Sequence, residues 1–530
     1  MNYLNTQRPL FAAIFVLLFA VTLAGCTGLR RDVPRPSSEA WLHPEETPLG
    51  RALDRQIAGY DGQSGFYLLD TGLEALSMRA GLAENAQRTL DLQYYTLHED
   101  VTTQLLLYRV LRAAQRGVRV RLLIDDLYAV GRDFDLATFS AHPNIEVRIF
   151  NPFLSRGPLG ISRLLEFLGD STRLNRRMHN KLWIADNAAA IVGGRNLGDE
   201  YFDAHHTVNF SDLDALATGP VVRDLSRSFD EYWNSEWALP VEAFVSDPPG
   251  PEQLAGFERI LEERLEGFRD TVYARALRET RLGRQLLSGQ LAIIPAGAKA
   301  IYDKPAKLPG DNVDTPSRQT FPSHLRMLFE AARNEVILIS PYFIPSEQGI
   351  GLLSALVRRG VRVRILTNSL ASTDVPVVHA GYARVRESLL AAGVELFEMR
   401  PNAPLNLGRA WPLGASSGAS LHAKAVLVDQ HQVLIGSMNL DPRSRQLNTE
   451  VAVLLESDQI GAELAALFAE AVQPARVFRV VLNEMALEEK SLQWITAEDG
   501  KELHYDQEPA GFWRRFFASL LGRLAPDELL

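Results

Sequence analysis

Two short stretches of this chain carry residue types that do chemistry. His179 and Lys181 stand two residues apart, and so do His422 and Lys424. Histidine exchanges a proton near neutral pH, but a single histidine is most simply read as a satisfied structural one. Here the motif occurs twice in register, at an offset of 243. Asp186 recurs as Asp429, Gly193 as Gly436 and Asn196 as Asn439, and RGVRVR at 116–121 recurs at 359–364. Two of the chain's seven lysines fall at matched positions, so coincidence is a poor explanation and a duplicated domain a good one. Small residues beside each pair, Gly194 in one copy and Ser437 in the other, give a phosphate room to approach the backbone.

The motifs need a scaffold, and the apolar pattern around them supplies one. Segments 182–185 and 421–428 read as strands, so period two puts each His/Lys pair on one sheet face. Each strand turns at Asp186-Asn187 or Asp429-Gln430 and returns at 190–193 or 433–436, bringing glycine and asparagine back beside the pair. Upstream, residues 90–95, 102–115 and 118–124 read as strand, helix, strand, and 336–340, 351–359 and 361–367 repeat the order. Gly117 and Gly360 follow the helices. Such crossover units favour a mixed sheet covered by helices, giving two α/β domains that face each other.

With 530 residues, 46% apolar and 23% charged, the chain is long enough for several packed domains, which excludes disordered and collagen-like classes. Its 55 basic against 65 acidic residues give a net charge of −10, which argues against general nucleic-acid binding. A single cysteine, Cys26, rules out internal disulfides and cysteine-based zinc sites. The apolar run 10–23 is too short to span a bilayer and suits a secretory signal. The expected organisation is a signal peptide at 1–25, a Pro- and Ser-rich extended tether at 26–50, a first domain at 51–245 and an exposed helical connector at 246–300. A second domain follows at 301–475 and a C-terminal extension at 476–530.

His179, Lys181, Asp186, Gly193 and Asn196, with His422, Lys424, Asp429, Gly436 and Asn439, match HxKxxxxD followed by G(G/S)xN, and the chain thereby resembles the phospholipase D superfamily. RRMHNK at 176–181, IVGGRNLGDEYF at 191–202 and DLD at 212–214 are similar to the shorter, lipoprotein-like bacterial cardiolipin synthases. The resemblance implies two tandem domains related by a pseudo-two-fold, with the active site at their interface and no metal or cofactor. One histidine attacks the phosphodiester phosphorus, the other protonates the leaving alcohol, and the roles reverse for the acceptor; His179 is implied as nucleophile and His422 as acid/base. Lys181, Lys424, Asn196 and Asn439 are implied to hold the transition-state oxygens, and Arg177, Gly194 and Ser437 to contact substrate. LAGC at 23–26 resembles a lipoprotein signal with Cys26 lipidated, and Thr27 is similar to lipoproteins sent to the outer membrane.

Each histidine needs a carboxylate or carbonyl to set its tautomer. Glu450, 28 residues after His422, is the candidate in the second half; Asp214 is its counterpart in the first, with Asp212 as alternative. Asp186 and Asp429, placed with the catalytic residues by the resemblance, have a heavier structural reading as turn residues. Residues 152–168 read as a lipid-accepting wall or as a buried loop and helix. Residues 512–521 combine aromatics with arginines as interfacial helices do, or form a helix docked on the second domain. His205, His206 and His431 lack partners at metal-ligand spacing and read as surface residues. The expected partners are a membrane and glycerophospholipids, phosphatidylglycerol with phosphatidylethanolamine as a further substrate, and no nucleic acid. The alternatives are a hydrolytic phospholipase D or other phosphodiesterase, nuclease included, and a silent lipid-binding lipoprotein.

Overall fold

A computed structural model describes residues 30, 32–127, 129, 131–156, 161–280, 282–307, 321–401, 418–483 and 491–524. The segment expected to be a signal peptide, Cys26 and the final six residues lie outside them. In the first half the strands are β1 (Ser64–Leu69), β2 (Thr89–Tyr94), β3 (Arg119–Asp125), β4 (Ile145–Phe150), β5 (Leu182–Ala185), β6 (Ala189–Gly193), β7 (Val208–Ser211), β8 (Asp214–Thr218) and β9 (Ala238–Pro240). The second half contains β10 (Ile294–Tyr302), β11 (Glu335–Ile339), β12 (Arg362–Asn368), β13 (Glu395–Met399), β14 (Gly418–Leu421), β15 (Ala425–Val428), β16 (Gln432–Gly436) and β17 (Val451–Glu456). Three more close it: β18 (Val477–Asn483), β19 (Ser491–Glu498) and β20 (Lys501–Tyr505).

Each half is the expected mixed sheet. β2, β3 and β4 run parallel, as do β11, β12 and β13. β5 and β15 then pair antiparallel with β2 and β11 and lead into the meanders β5-β6-β8 and β15-β16-β17. The parallel strands are possible because helices Val101–Gln115 and Glu347–Arg358 cross over between them. Both helices stop in the same way: Gly117 and Gly360 take positive φ, and paired turn bonds from Gly117 and Val118, or Gly360 and Val361, satisfy the last carbonyls. The repeat in sequence is therefore a repeat in capping chemistry.

The halves are more closely joined than two facing domains. β1 pairs antiparallel with β10 at Ser64–Ala296, Gly65–Pro295 and Phe66–Ile294, so the two sheets merge into one of 18 strands among the described residues. One buried apolar cluster spans both halves, with Ile184, Val192 and Trp233 from the first and Leu427, Ile435 and Leu464 from the second. Burial of that kind, at about 25 cal/mol per Å² of apolar surface, disfavours separation of the halves. Further cores lie under the outer helices of each half.

Three expected boundaries are corrected. The tether is docked from about residue 35: Arg148 donates to the Pro36 carbonyl, Arg121 to that of Ser38, and Ala40 N–H to Asp230. It is extended because its backbone polar groups are met by side chains of the first half. Thr47 then caps the helix Pro48–Gln56. The connector is seated, with Leu261 and Leu286 buried, and ends before β10, which pairs with β17 along Gly297–Tyr302. The C-terminal extension belongs to the second sheet, since β18 pairs with β13 and carries β19 and β20.

Candidate active site

The His-x-Lys tripeptides lie just ahead of β5 and β15 and not within them, because their backbones bond to the opposite half. His179 N–H donates to the Thr449 carbonyl and Thr449 N–H to that of Arg177. His422 and Ala423 N–H both donate to the Ser211 carbonyl, continuing the parallel ladder of β7 with β14. The segment crossing each motif thus comes from the other domain, and the next residue along that segment is an acid.

That geometry exchanges the orienting carboxylates. Glu450 accepts from His179 Nδ1 at 2.9 and 3.1 Å, and Asp212 accepts from His422 Nδ1 at 2.6 Å. Glu450 therefore serves the histidine of the first half and not that of its own, a correction to the sequence expectation. Asp214 is not an orienter: it is buried 2.9 Å from Arg79 and 3.3 Å from Arg195. The register explains why, since Gly193 pairs with Asp214 and Gly436 with Ala452. The residues two earlier, Asp212 and Glu450, are equivalents.

The small residues make room for these carboxylates. A Cβ at Gly194 would lie 2.1 Å from Asp212 Oδ1. Its counterpart Ser437 donates its hydroxyl to Glu450 and accepts from Val451 N–H. Neither residue stands as a bare phosphate cradle. Gly194→Ala is expected to displace Asp212 and lower kcat roughly 10- to 100-fold, with KM changed less; unchanged kinetics in a steady-state assay would contradict this packing.

Burial sets the charge states. The His179 imidazole is pushed down to about 4, chiefly by burial and against the pull of Glu450, and His422 is lowered for the same reason, with Lys424 adding to it. Burial opposes charge on Glu450 and Asp212, yet their bonds to His179 and His422 and the nearby lysines hold both below the usual carboxylate range. A neutral imidazole that donates through Nδ1 leaves Nε2 as a lone pair, which is the state of a nucleophile or base. The Lys181 and Lys424 ammonium groups are also disfavoured by burial, and each donates to the carbonyl of its own histidine. An entering phosphodiester anion adds negative charge to that of Glu450 and Asp212 and favours the ammonium form of both lysines.

The asparagines differ. Asn196 is occupied, accepting from Thr96 N–H at 3.3 Å and donating to the Tyr201 hydroxyl at 2.9 Å. Asn439 is buried, and its Oδ1 has no hydrogen-bond partner among the described residues. Arg177 does not face substrate either. It is buried against Asp125 at 3.1 Å and the Asn151 carbonyl at 2.8 Å, while Asp125 also accepts from Met178 N–H beside His179. Asp186 and Asp429 each accept three backbone N–H groups, from residues 87–89 and 333–335, which pins the starts of β2 and β11. They hold the scaffold rather than the reacting groups. His205, His206 and His431 are exposed.

Several neighbours escaped the sequence reading. The Tyr95 ring meets His179 edge-on at 5.0 Å and lies 5.4 Å from Lys181 Nζ, and Tyr201 and Phe210 flank His422 at 5.1 and 5.0 Å. The only available signal for Tyr95 was an aromatic directly after a strand that ends beside the motif. Asp441 is also buried, and desolvation raises it to about 7 although its carboxylate caps Ser444 N–H. Its raised value means the folded chain holds a proton that the unfolded chain releases, so its contribution is lost as pH rises from about 4 through 7. Asp441→Asn keeps the cap and is expected to raise Tm by about 2 °C or more at pH 8 and little at pH 4, read by thermal unfolding at both pH values.

Comparisons with known proteins give the family. The family described as cardiolipin synthase, PLD-like domain matches twice, at residues 81–233 and 325–472. Cardiolipin synthase C of Escherichia coli K12 is 38% identical over 476 residues, covering 89% of this chain and 97% of that protein. Cardiolipin synthase B of the same strain is 24% identical, covering 70% of this chain and 71% of that one. In fold, the crystal structure of a phosphatidylserine synthase from Haemophilus influenzae matches with a TM-score of 0.52 at 15% identity, covering 80% of this chain and 92% of that one. The duplicated motif, the doubled family match and the extent of identity make this chain an enzyme of the phospholipase D superfamily, and within it a member of the cardiolipin synthase family.

Proposed function

We propose that the chain transfers a phosphatidyl group from one glycerophospholipid to a hydroxyl of phosphatidylglycerol, making cardiolipin. The observation that carries this is the pair of buried imidazoles whose Nδ1 atoms are each fixed by a carboxylate of the opposite half, leaving Nε2 as the reacting nitrogen. His179 Nε2 attacks the donor phosphorus. The bond from phosphorus to the headgroup oxygen breaks, and His422, which takes up a solvent proton at Nε2 when the phosphodiester anion enters beside it, gives that proton to the leaving oxygen and is left neutral. An acceptor hydroxyl then passes its proton to His422 and attacks phosphorus, and the phosphorus–nitrogen bond breaks. Lys181, Lys424 and Asn439 stabilise the oxygens of the pentacoordinate state. His179 is favoured as nucleophile because its Nε2 takes no bond from a described protein group, whereas Lys424 Nζ lies 3.4 Å from His422 Nε2.

Phosphatidylglycerol as acceptor follows the similarity to cardiolipin synthase C, and phosphatidylethanolamine is a donor to be tested beside it. Membrane association goes with the family; none of the described helices is long and apolar enough to cross a membrane. We place the anchor at a lipidated Cys26, with the folded part facing the periplasm from the outer membrane. The test is mass spectrometry of products from detergent-solubilised protein with phosphatidylglycerol, with and without phosphatidylethanolamine. Cardiolipin is expected, and a yield that depends on phosphatidylethanolamine identifies the donor. Phosphatidic acid alone would make the enzyme a hydrolase.

A further inference from the structure

The helix Phe512–Leu524 answers both readings of its sequence at once. Its inner face is docked, with Ala518 buried and Arg514 donating to the carbonyls of Leu370 and Thr373. Its outer face is apolar and bare: Trp513 is 67% exposed, and Phe512, Phe516 and Phe517 are exposed beside it at helical spacing. A second helix, Ile161–Gly169, does the same in the first half, exposing Leu164, Leu165 and Leu168, the last by 69%. A soluble surface does not ordinarily keep such rows of large apolar side chains.

Both helices stand at the edge of the sheet where the histidines are. β2 and β11 end beside the starts of β5 and β15, at the pairs Gln93–Leu182 and Ile339–Ala425, so the carboxyl edge of the parallel strands is the active-site edge. The loop held by Arg514 follows β12, and the helix Ile161–Gly169 follows β4. Each helix is also wired to the residue before a histidine. Leu370 lies two residues past Asn368, whose amide exchanges two hydrogen bonds with Leu421. In the first half Glu166 binds Arg173, Arg173 binds Asn151, and Arg177 joins Asn151 to Asp125, which holds Met178 N–H.

We propose that these two helices form the face by which the enzyme docks on a phospholipid membrane, one from each half, with the active-site edge turned to the lipid. Charge selects a lipid surface over a protein partner: in a chain of net charge −10, FWRRFFASLLGRL has three arginines and no acid, and with Arg514 turned inward the segment still carries the net positive charge that suits anionic headgroups. Docking there brings substrate to the histidines laterally and without crossing water. The inference deepens the phosphatidyltransferase reading and rests on it only for the kinetic arm of its test.

The binding arm uses the full chain on vesicles of phosphatidylglycerol and phosphatidylcholine carrying a bromoacyl lipid. Tryptophan emission is expected to be quenched by the bromolipid in the native chain, and Trp513→Phe to remove a large share of that quenching. Equal quenching in the two proteins would overturn the proposal. The kinetic arm uses W513E/F516E and, separately, L164E/L168E. Each is expected to lose at least about tenfold in rate on vesicles while staying within about twofold on dispersed short-chain phosphatidylglycerol, because only docking has been weakened. Equal losses on both substrates, in variants whose melting is unchanged, would also overturn it. Quenching through Trp513 without turnover on any lipid would support the docking face and discard the transferase reading.

Discussion

His179→Ala is expected to lower turnover by about 10⁴-fold or more on every phosphodiester, because in the proposed mechanism it removes the atom to which phosphorus becomes bonded. His422→Ala should fall as far on natural phospholipids, whose leaving alkoxide requires a proton. The two variants separate on a substrate with a good leaving group, such as a p-nitrophenyl phosphodiester. There the departure of nitrophenolate needs no acid, so His422→Ala should still release a single-turnover burst and retain a phosphohistidine detectable by mass spectrometry, whereas His179→Ala gives neither. The reverse pattern would exchange the two roles. Bursts from both variants would remove the paired-histidine mechanism altogether.

Glu450→Gln and Asp212→Asn are expected to cost about 10²- to 10⁴-fold in kcat, since an amide behind an imidazole no longer holds its tautomer or stabilises its cation. The exchange between halves predicts which step each one impairs. Glu450→Gln should mimic His179→Ala and suppress the burst on the nitrophenyl substrate. Asp212→Asn should mimic His422→Ala and keep the burst. If each carboxylate served its own half, this assignment would invert, so the measurement tests the cross-domain bonds at 2.9 and 2.6 Å directly. Asp214→Asn makes a contrast. It breaks a buried contact with Arg79 and Arg195 and should destabilise the fold by roughly 3–5 kcal/mol without a step-specific signature.

These consequences show where the sequence was legible. The duplication, the α/β order and the crossover helices follow from local pattern: apolar period, a glycine where each helix ends, an aspartate in each turn. The two His/Lys pairs stood out because identical spacing recurred in register, which needs no knowledge of how the halves meet. Asp186 and Asp429 were recognisable as turn residues for a related reason, although their oxygens are used to hold the start of a neighbouring strand and not their own turn.

What the sequence by itself determined is therefore the chemistry available and the units that carry it: two histidines, two lysines and two copies of one mixed sheet. Which acid stands behind which histidine was decided only by the tertiary structure. The partners are 271 and 210 residues apart, and the choice depends on β7 pairing with β14 and on Thr449 bridging to Met178, the residue before His179. Those are backbone bonds between the halves, made only once the shared core closes, and no local periodicity encodes them. The same docking turned Gly194 and Ser437 from candidate phosphate contacts into the space and the hydroxyl that hold the two carboxylates in place.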